Sequence, residues 1–340
     1  MRTNNKSYNL SIQGLKGIAA LVVFFSHSLN IIQNNFVQEI GKTPLHLFFD
    51  GQCSVILFFV ISGFFYYREK VIDKTNYIKL IKKKIIRIYP AYIITLCIAF
   101  ILCNLHITYN HSICTSWANQ FWQHDVSFIT LIKQIPIITP GFDPNILNFP
   151  VWYLRAEIRM LFIMPLIISL FLLLKECFRK LPSFVILIPL LLSSLAISGM
   201  ICFIIGYIAR LIAEKYGINK LGIWGPLFIL VGLFLLNIRN EFVFKTTELS
   251  NAIQAVGASI LLVYSYYIGG RFLKHKILVF LGDISYEIFL VHSIVLLFLR
   301  CFIEDYNLYV FISFLITIQC SIFIKKIQKS LQNALRSQLC

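Results

Sequence analysis

The chain has 340 residues, of which 58% are apolar and only 14% are charged, and this composition excludes a soluble globular domain. Its formal charge of +16 does not indicate nucleic acid binding, because the basic residues form short clusters between apolar segments. The nine cysteines show no Cys-x-x-Cys pair and no Cys/His metal spacing, so we predict neither a disulfide framework nor a metal site. The class that remains is an all-α, polytopic membrane protein.

Apolar segments of spanning length predict ten transmembrane helices in one integral-membrane domain, residues 1–340, with an external loop at about 109–150 and no fused soluble domain. The first segment lacks a small-residue cleavage site and is expected to be a retained helix. Most of the 31 Lys and Arg residues lie on one side if the N-terminus is cytoplasmic, so both termini are predicted to be cytoplasmic. The predicted spans are 10–32, 45–67, 89–108, 151–174, 183–199, 200–213, 221–238, 251–268, 284–303 and 306–324.

The first span carries two ionisable side chains, Lys16 and His27. Eleven residues separate them, which places both on one helix face about 16 Å apart. An ionisable group inside a bilayer costs roughly 2.5–3.5 kcal/mol, so we expect the two side chains to have a structural or functional role that offsets this cost. Two interpretations stay open: a catalytic or ligand-binding face, or a snorkelling lysine with a structural histidine. In the second span, Ser62 and Gly63 predict close helix packing.

A basic segment precedes the third span, and a long loop follows it. Lys84 and Arg87 are one helical turn apart and suit the phosphates of an anionic cytosolic ligand, although an orientation signal alone explains them equally well. The loop at 109–150 is either an acceptor-binding lid or an ordinary structured connection. Its apolar part, 126–138, is too short to span a bilayer and is expected to be interfacial or re-entrant.

The fourth span places a carboxylate, Glu157, just inside the membrane. Arg155 and Arg159 lie two residues away on either side, an offset that points them away from the carboxylate, so its partner must come from another helix or from water. His27 is expected at a similar depth, where Glu157 would hold one imidazole nitrogen and raise the basicity of the other. The alternative is a structural Glu–Arg pair without chemistry.

In the ninth span, Ser285 and His292 are seven residues apart and therefore share a helix face, while Glu287 lies off it. A histidine in mid-membrane is a candidate site residue, although a buried, hydrogen-bonded structural histidine is the equal alternative.

Five short motifs are spread along the chain: Leu-Lys-Gly-Ile-Ala-Ala at 15–20 followed by His27, Phe-Val-Ile-Ser-Gly-Phe at 59–64, Arg-Ile-Tyr-Pro at 87–90, Val-Trp-Tyr-Leu at 151–154 with Glu157, and Leu-Gly at 281–282 with Ile-Ser-Tyr at 284–286 and Leu-Val-His at 290–292. They occur in the order in which the acyltransferase-3 family has them, and the chain resembles that family of bacterial membrane O-acyltransferases over nearly its whole length. The resemblance implies that His27 is the essential first-helix histidine and that acetyl-CoA is the donor. Lys16 stands where the family usually has arginine, which keeps the charge but loses the bidentate fork. Larger relatives carry a fused extracytoplasmic domain; this chain is expected to act alone or with a separate periplasmic or glycan-assembly partner.

The expected function is that of a bacterial inner-membrane O-acetyltransferase, with acetyl-CoA as co-substrate, membrane lipids around it and a polysaccharide or lipid-linked glycan as acceptor. Lys16, Lys84 and Arg87 would hold the CoA phosphates. His27, oriented by Glu157, would act as general base or as nucleophile. Possible acceptor or supporting residues are Trp152, Tyr153, Ser285, Tyr286 and His292. The alternatives are a lipid-linked oligosaccharide flippase, a glycan polymerase, or a transferase of succinyl or another acyl group.

Overall fold

The computed structural model describes residues 9–34, 39–40, 42–66, 74–105, 107–139, 142–178, 199–216, 224–238 and 247–337. Within these ranges the chain is helical and forms no strand; the one β-bridge is an isolated antiparallel contact between Ile32 and Cys114. The predicted all-α class is confirmed for this part of the chain. Short 3₁₀ helices lie at Pro44–Phe49, Ala118–Gln120, Pro144–Ile146, Phe149–Val151 and Phe272–Lys274.

The α-helices of the described ranges follow the predicted apolar segments in order. They are α1 Leu10–Ile31, α2 Gly51–Tyr66, α3 Lys74–Cys103, α4 Phe128–Gln134, α5 Trp152–Cys177, α6 Met200–Tyr216, α7 Gly225–Leu236, α8 Thr247–Tyr267, α9 Lys276–Asp283, α10 Ser285–Leu299 and α11 Tyr306–Ser337.

Five of these helices are long and apolar enough to cross a membrane, and the bent pair α9 and α10 makes a sixth if it counts as one span. The five are α1, α3, α5, α8 and α11, whereas α2 and α7 are shorter apolar helices. Of the predicted span 183–199, residues 183–198 lie outside the described residues. The count of ten spans and the cytoplasmic termini therefore stay predictions.

The predicted second span is interrupted at Asp50. The Asp50 carboxylate accepts hydrogen bonds from the backbone N–H groups of Gln52, at 2.9 Å, and Cys53, at 3.4 Å, and so caps the start of α2. The sequence before it forms a separate 3₁₀ helix.

Close helix packing depends on glycines. A methyl group at Gly17 of α1 would overlap the Leu278 carbonyl of α9, and one at Gly63 of α2 would overlap the Phe203 carbonyl of α6. Backbones approach this closely only where side chains are absent. The prediction that Gly63 permits close packing is confirmed, and α1 packs against α2, α8, α9 and α10.

The predicted ninth span is broken rather than straight. α9 and α10 meet at Ile284 with a bend of 73°. Carbonyls freed by the bend find other donors: Ser285 Oγ donates to the Gly282 carbonyl at 2.9 Å, and Lys325 Nζ of α11 donates to the Asp283 carbonyl. The bend lets α9 pack along the first half of α1 while α10 brings His292 to its second half.

In the described part of the predicted external loop, residues 109–139 and 142–150, the one α-helix is the short α4. Two residues of α4, Phe128 and Ile129, are each 66% exposed, so its apolar side faces away from the protein core. The expectation that this segment is too short to span is confirmed. Arg300, at the end of α10, is 2% exposed and donates to the loop carbonyls of Ala118 at 2.5 Å and Phe121 at 2.7 Å. This arginine holds the loop on the helix bundle.

Candidate active site

Two histidines meet between α1 and α10. Nδ1 of His27 lies 2.8 Å from Nε2 of His292, and the rings stack with centroids 5.0 Å apart and an interplanar angle of 10°. The other ring nitrogen of His292, Nδ1, lies 2.9 Å from the carbonyl oxygen of Ile288. His292 is 0% exposed, whereas His27 is half-buried and lines a cavity.

These contacts fix the protonation pattern of the pair in its neutral form. A carbonyl oxygen only accepts, so Nδ1 of His292 carries the hydrogen that is donated to Ile288. Nε2 of the neutral His292 ring is then an acceptor, and Nδ1 of His27 must be the donor. Nε2 of His27 is left without a hydrogen, and no described residue forms a hydrogen bond with it. The site therefore presents an unprotonated imidazole nitrogen.

Aromatic side chains hold the His27 ring from both sides. The Trp117 ring of the external loop stacks on it at 5.9 Å and 15°, and Phe149 meets it edge-on at 5.0 Å. The neighbouring Asn148 is 3% exposed; it donates to the Leu290 carbonyl at 2.9 Å and accepts from Ser293 Oγ at 2.5 Å. Asn148 thereby ties Phe149 to α10, which also carries His292.

His27 lines a cavity of about 520 Å³, here called the histidine cavity. Its walls combine aromatic rings with hydrogen-bonding groups, among them Trp152, Asp50, Gln52 and Asn251. The Gln52 side chain donates to Asn251 Oδ1 at 2.8 Å, and the Trp152 side chain is 46% exposed. Such a mixture of exposed ring faces, amides and a carboxylate suits a ligand rich in hydroxyl groups.

A second cavity, of about 340 Å³, lies towards the first half of α1 and is here called the basic cavity. Four cationic side chains line it: Lys16, Arg87, Lys325 and Lys329. Three acidic side chains also line it, Glu157, Asp283 and Glu287. Glu287 is paired with Lys325 at 3.3 Å, while the described residues give Lys16 no ion-pair partner within 4.0 Å. This arrangement suits a ligand that carries several negative charges.

Glu157 does not hold the His27 ring, contrary to the expectation from sequence. Nδ1 of His27 is bound to His292, and Glu157 lies in the basic cavity with its carboxylate 4.0 Å from Arg87, the outer limit of an ion pair. The spacing argument about its neighbours is correct, because Arg155 points away and donates to the Phe142 carbonyl at 3.3 Å. The physical reason for the error is that His292 comes from a distant segment whose bend brings it to α1.

The predicted phosphate-binding residues are only partly brought together. Lys16 and Arg87 line the basic cavity, whereas Lys84 is absent from its described lining and places its ammonium 4.2 Å from the centre of the Tyr66 ring. A cation over an aromatic face is already stabilised there. Lys325 and Lys329 complete the basic lining; sequence reasoning counted both only as orientation signals, because α11 was predicted to end before them.

The remaining predicted residues divide between the cavities. Trp152 lines the histidine cavity, while Tyr153, Ser285 and Tyr286 line the basic cavity. The Tyr286 hydroxyl donates to the Ile88 carbonyl at 2.8 Å, which ties α10 to α3 beside the cavity. Sequence reasoning missed Asn148, Asp50 and Gln52, since polar residues in loops and at helix starts carry no spacing pattern of their own.

Comparison with known proteins identifies the family of this chain. A family model described as an acyltransferase domain, that of the acyltransferase-3 family, matches residues 9–326. The chain belongs to the acyltransferase-3 family. The resemblance seen in its motifs is thereby confirmed. His27, His292 and the described lining of the histidine cavity lie inside the matched range, and so does the lining of the basic cavity except for Gln328, Lys329 and Gln332.

A curated relative is named acyltransferase MdmB, from Streptomyces mycarofaciens. It is 29% identical to this chain over 161 residues, which are 46% of this chain and 38% of that protein. The match thus covers well under half of the relative's length. No solved structure matches the chain. The chain thus combines membership of the acyltransferase-3 family with apolar helices of spanning length.

Proposed function

We propose that this acyltransferase is a multi-pass protein of the bacterial inner membrane that moves an acetyl group from acetyl-CoA to a sugar hydroxyl. The acceptor is a cell-surface polysaccharide, such as O-antigen, capsule or exopolysaccharide, or its lipid-linked precursor. The observation that carries the proposal is the histidine pair, which leaves Nε2 of His27 unprotonated in a cavity that suits a sugar.

The donor binds in the basic cavity. CoA carries phosphate groups at one end and the thioester at the other, so its anionic end needs cations and its acyl end needs to reach His27. Lys16, Arg87 and Lys329 supply the cations. Along α1, Lys16 and His27 are separated by about 16 Å, a distance that the long pantetheine arm of CoA spans.

The proposed topology agrees with entry of acetyl-CoA from the cytoplasm into the basic cavity. In the ten-helix arrangement with both termini inside, the clustered Lys and Arg residues lie in the cytoplasm, where acetyl-CoA is made. The basic cavity is then open to the cytoplasm, and the histidine cavity lies in the outer half of the membrane.

The reaction needs one basic nitrogen. Nε2 of His27 takes the proton of the sugar hydroxyl while the hydroxyl oxygen attacks the thioester carbonyl carbon. The new C–O bond forms, the C–S bond breaks, and the CoA thiolate leaves and takes the proton from His27. The imidazolium that exists between these steps is stabilised by the hydrogen bond from its Nδ1 to His292.

A second route uses the same nitrogen as a nucleophile. Nε2 attacks the thioester carbonyl, CoA leaves, and the sugar hydroxyl then takes the acetyl group from the ring. Both routes require Nε2 to be free, and both keep Nδ1 of His27 on His292.

The acceptor binds in the histidine cavity. Trp152 provides a ring face for a sugar, and the side chains of Gln52, Asn251 and Asp50 provide partners for its hydroxyl groups. Asp50 is the one acidic or basic side chain, histidine apart, in the described lining of this cavity. A lone carboxylate favours a neutral sugar over an acidic one, and it favours acetyl over the anionic succinyl group.

The acceptor assignment is tested by proton NMR of the surface polysaccharide from three strains: a deletion strain, the same strain with the intact gene, and the same strain with the His27→Ala gene. We expect base-labile O-acetyl signals only with the intact gene, and their coupled ring protons identify the sugar. A polysaccharide that is the same in all three strains contradicts the assignment.

A further inference from the structure

The two cavities are separated by three aromatic side chains, Phe59, Tyr153 and Phe289, here called the aromatic partition. Tyr153 stacks on Phe59 at 4.7 Å and 23°, and Phe289 meets Tyr153 edge-on at 5.1 Å. All three are almost fully buried, with 3%, 7% and 5% of their surface exposed. Phe59 lines the histidine cavity and Tyr153 the basic cavity.

Phe289 is the one residue in the described lining that both cavities share. It also lies next to the histidine pair, since its ring centroid is 6.1 Å from that of His292. A thioester whose phosphates stay near Lys16 and Arg87 reaches Nε2 of His27 only by passing the place where this ring stands. The partition therefore lies on the path of the acyl group and not on that of the phosphates.

We propose that the aromatic partition selects the length of the transferred acyl group and that Phe289 is the residue that sets the limit. This inference rests on the proposed function, because it takes an acyl-CoA as the donor. A short acyl group passes beside the ring, whereas a longer chain needs the volume that the ring already fills.

Phe289 is a better candidate for this role than its two neighbours. Tyr153 and Phe59 stack face to face and support each other, so each also holds α5 against α2. Phe289 contacts Tyr153 only through an edge, and removing its ring joins the two cavities without separating that stack. The reacting atoms stay the same: for every donor the C–S bond breaks, the C–O bond forms, and His27 carries the proton. A changed preference among the acyl-CoA donors therefore measures how easily the acyl group reaches His27, since the chemical step is the same for every donor.

The test compares the wild type with Phe289→Ala in membrane vesicles that also contain the endogenous glycan. The donors are labelled acetyl-CoA, butyryl-CoA and hexanoyl-CoA, and the readout is label in glycan. We expect the wild type to prefer acetyl-CoA. In Phe289→Ala we expect kcat/KM for hexanoyl-CoA, relative to that for acetyl-CoA, to rise by at least about tenfold. The matched control is Phe298→Ala, on the same helix but in neither cavity lining, which keeps the wild-type preference.

Three outcomes overturn the inference. If the wild type transfers acetyl and Phe289→Ala keeps the same preference, the partition does not select the donor, and the proposed function stands. If Phe298→Ala shifts the preference equally, the effect is not specific to the partition. If the wild type moves no acyl group from any CoA donor, both the proposed function and this inference fail. Where Phe289→Ala does not accumulate in the membrane, Phe289→Leu keeps most of the packing and serves as the second variant.

Discussion

Among single residues, the two histidines differ in their access to a ligand. His27 faces a cavity, whereas His292 is fully buried and bound at both ring nitrogens. A buried neutral imidazole that accepts from another imidazole plays the part that a carboxylate plays in other hydrogen-bonded catalytic pairs: it fixes the tautomer and the ring orientation. It does so without placing a fixed negative charge in the low-dielectric interior.

Replacing His292 tests this division of roles. In His292→Ala, Nδ1 of His27 loses its acceptor and the ring is no longer held in one tautomer, so we expect kcat to fall by about 100-fold. The KM for acetyl-CoA changes little, because the basic cavity is intact. In His292→Gln the amide oxygen can accept the same hydrogen, and we expect part of the activity to return. Steady-state kinetics on purified protein separate these effects, and a well-inserted His292→Ala variant with normal kcat rules out the positioning role.

The basic residues of α11 test the donor site. Lys329 lines the basic cavity, whereas Lys326, one turn away on the same helix, does not and is exposed. Since single exposed charge interactions are worth about 0.2–1 kcal/mol, Lys329→Ala should raise the KM for acetyl-CoA by roughly 1.5- to fivefold and weaken its dependence on salt. The control Lys326→Ala should leave the KM unchanged. Equal effects of both variants would mean that the cations act only through the general field of the surface.

At this scale the sequence predicts the reacting residue but not its partner. His27 is recognisable because an ionisable side chain in an apolar helix needs a reason. Glu157 is equally conspicuous, and depth counting places it near His27, yet depth says nothing about which helices are neighbours. His292 was recognised only as a candidate, since its pairing with His27 spans 265 positions of sequence.

At the scale of elements, the position of α1 against α9 decides where Lys16 and His27 point. The contact depends on Gly17, where a methyl group would overlap the Leu278 carbonyl. Gly270, by contrast, has no atom nearer than 4.0 Å to such a methyl group. Of these two glycines, only Gly17 is required by helix packing.

These two glycines provide a matched pair of variants. In Gly17→Ala the added methyl group forces α1 and α9 apart, at a cost of about 1–3 kcal/mol, so the midpoint of thermal unfolding in detergent should fall. In Gly270→Ala the midpoint should stay within a degree or two. Thermal unfolding followed by circular dichroism measures both. A Gly17→Ala variant as stable as the wild type would mean that the two helices are not in backbone contact.

The elements themselves are largely predictable from apolar runs, and their breaks are not. α1 ends within one residue of its predicted limit, because the apolar run is bounded by polar residues. The bend at Ile284 escaped prediction, since its freed carbonyls are satisfied by Ser285 and by Lys325 of another helix. α3 and α11 are longer than predicted, because Lys and Gln continue a helix beyond the apolar part.

For the whole molecule, the proposed donor and acceptor sites require the two cavities to open on opposite sides of the membrane. Lys326 lies beside the basic cavity and Asn145 lies in the external loop, and both are exposed. We expect a membrane-impermeant maleimide added to whole cells to label Asn145→Cys and not Lys326→Cys, with the reverse in inverted vesicles. Labelling of both from one side contradicts the topology.

The native cysteines of the external side interfere little with this measurement. Burial raises the pKa of the Cys114 thiol above the ordinary value, which lowers the fraction of reactive thiolate, and Cys301 is half-buried just after α10. The unsubstituted chain, labelled in parallel, provides the background.

In the proposed reaction, Nε2 of His27 drives the movement of an acetyl group from CoA to a glycan. The most direct measurement incubates inverted membrane vesicles with acetyl-CoA labelled in the acetyl group and follows both label in glycan and release of free CoA thiol. We expect the wild type to transfer label with equal release of thiol, and His27→Ala, present at the same level, to do neither. A flippase or polymerase would leave the label on CoA, and a fully active His27→Ala variant would remove His27 from the mechanism.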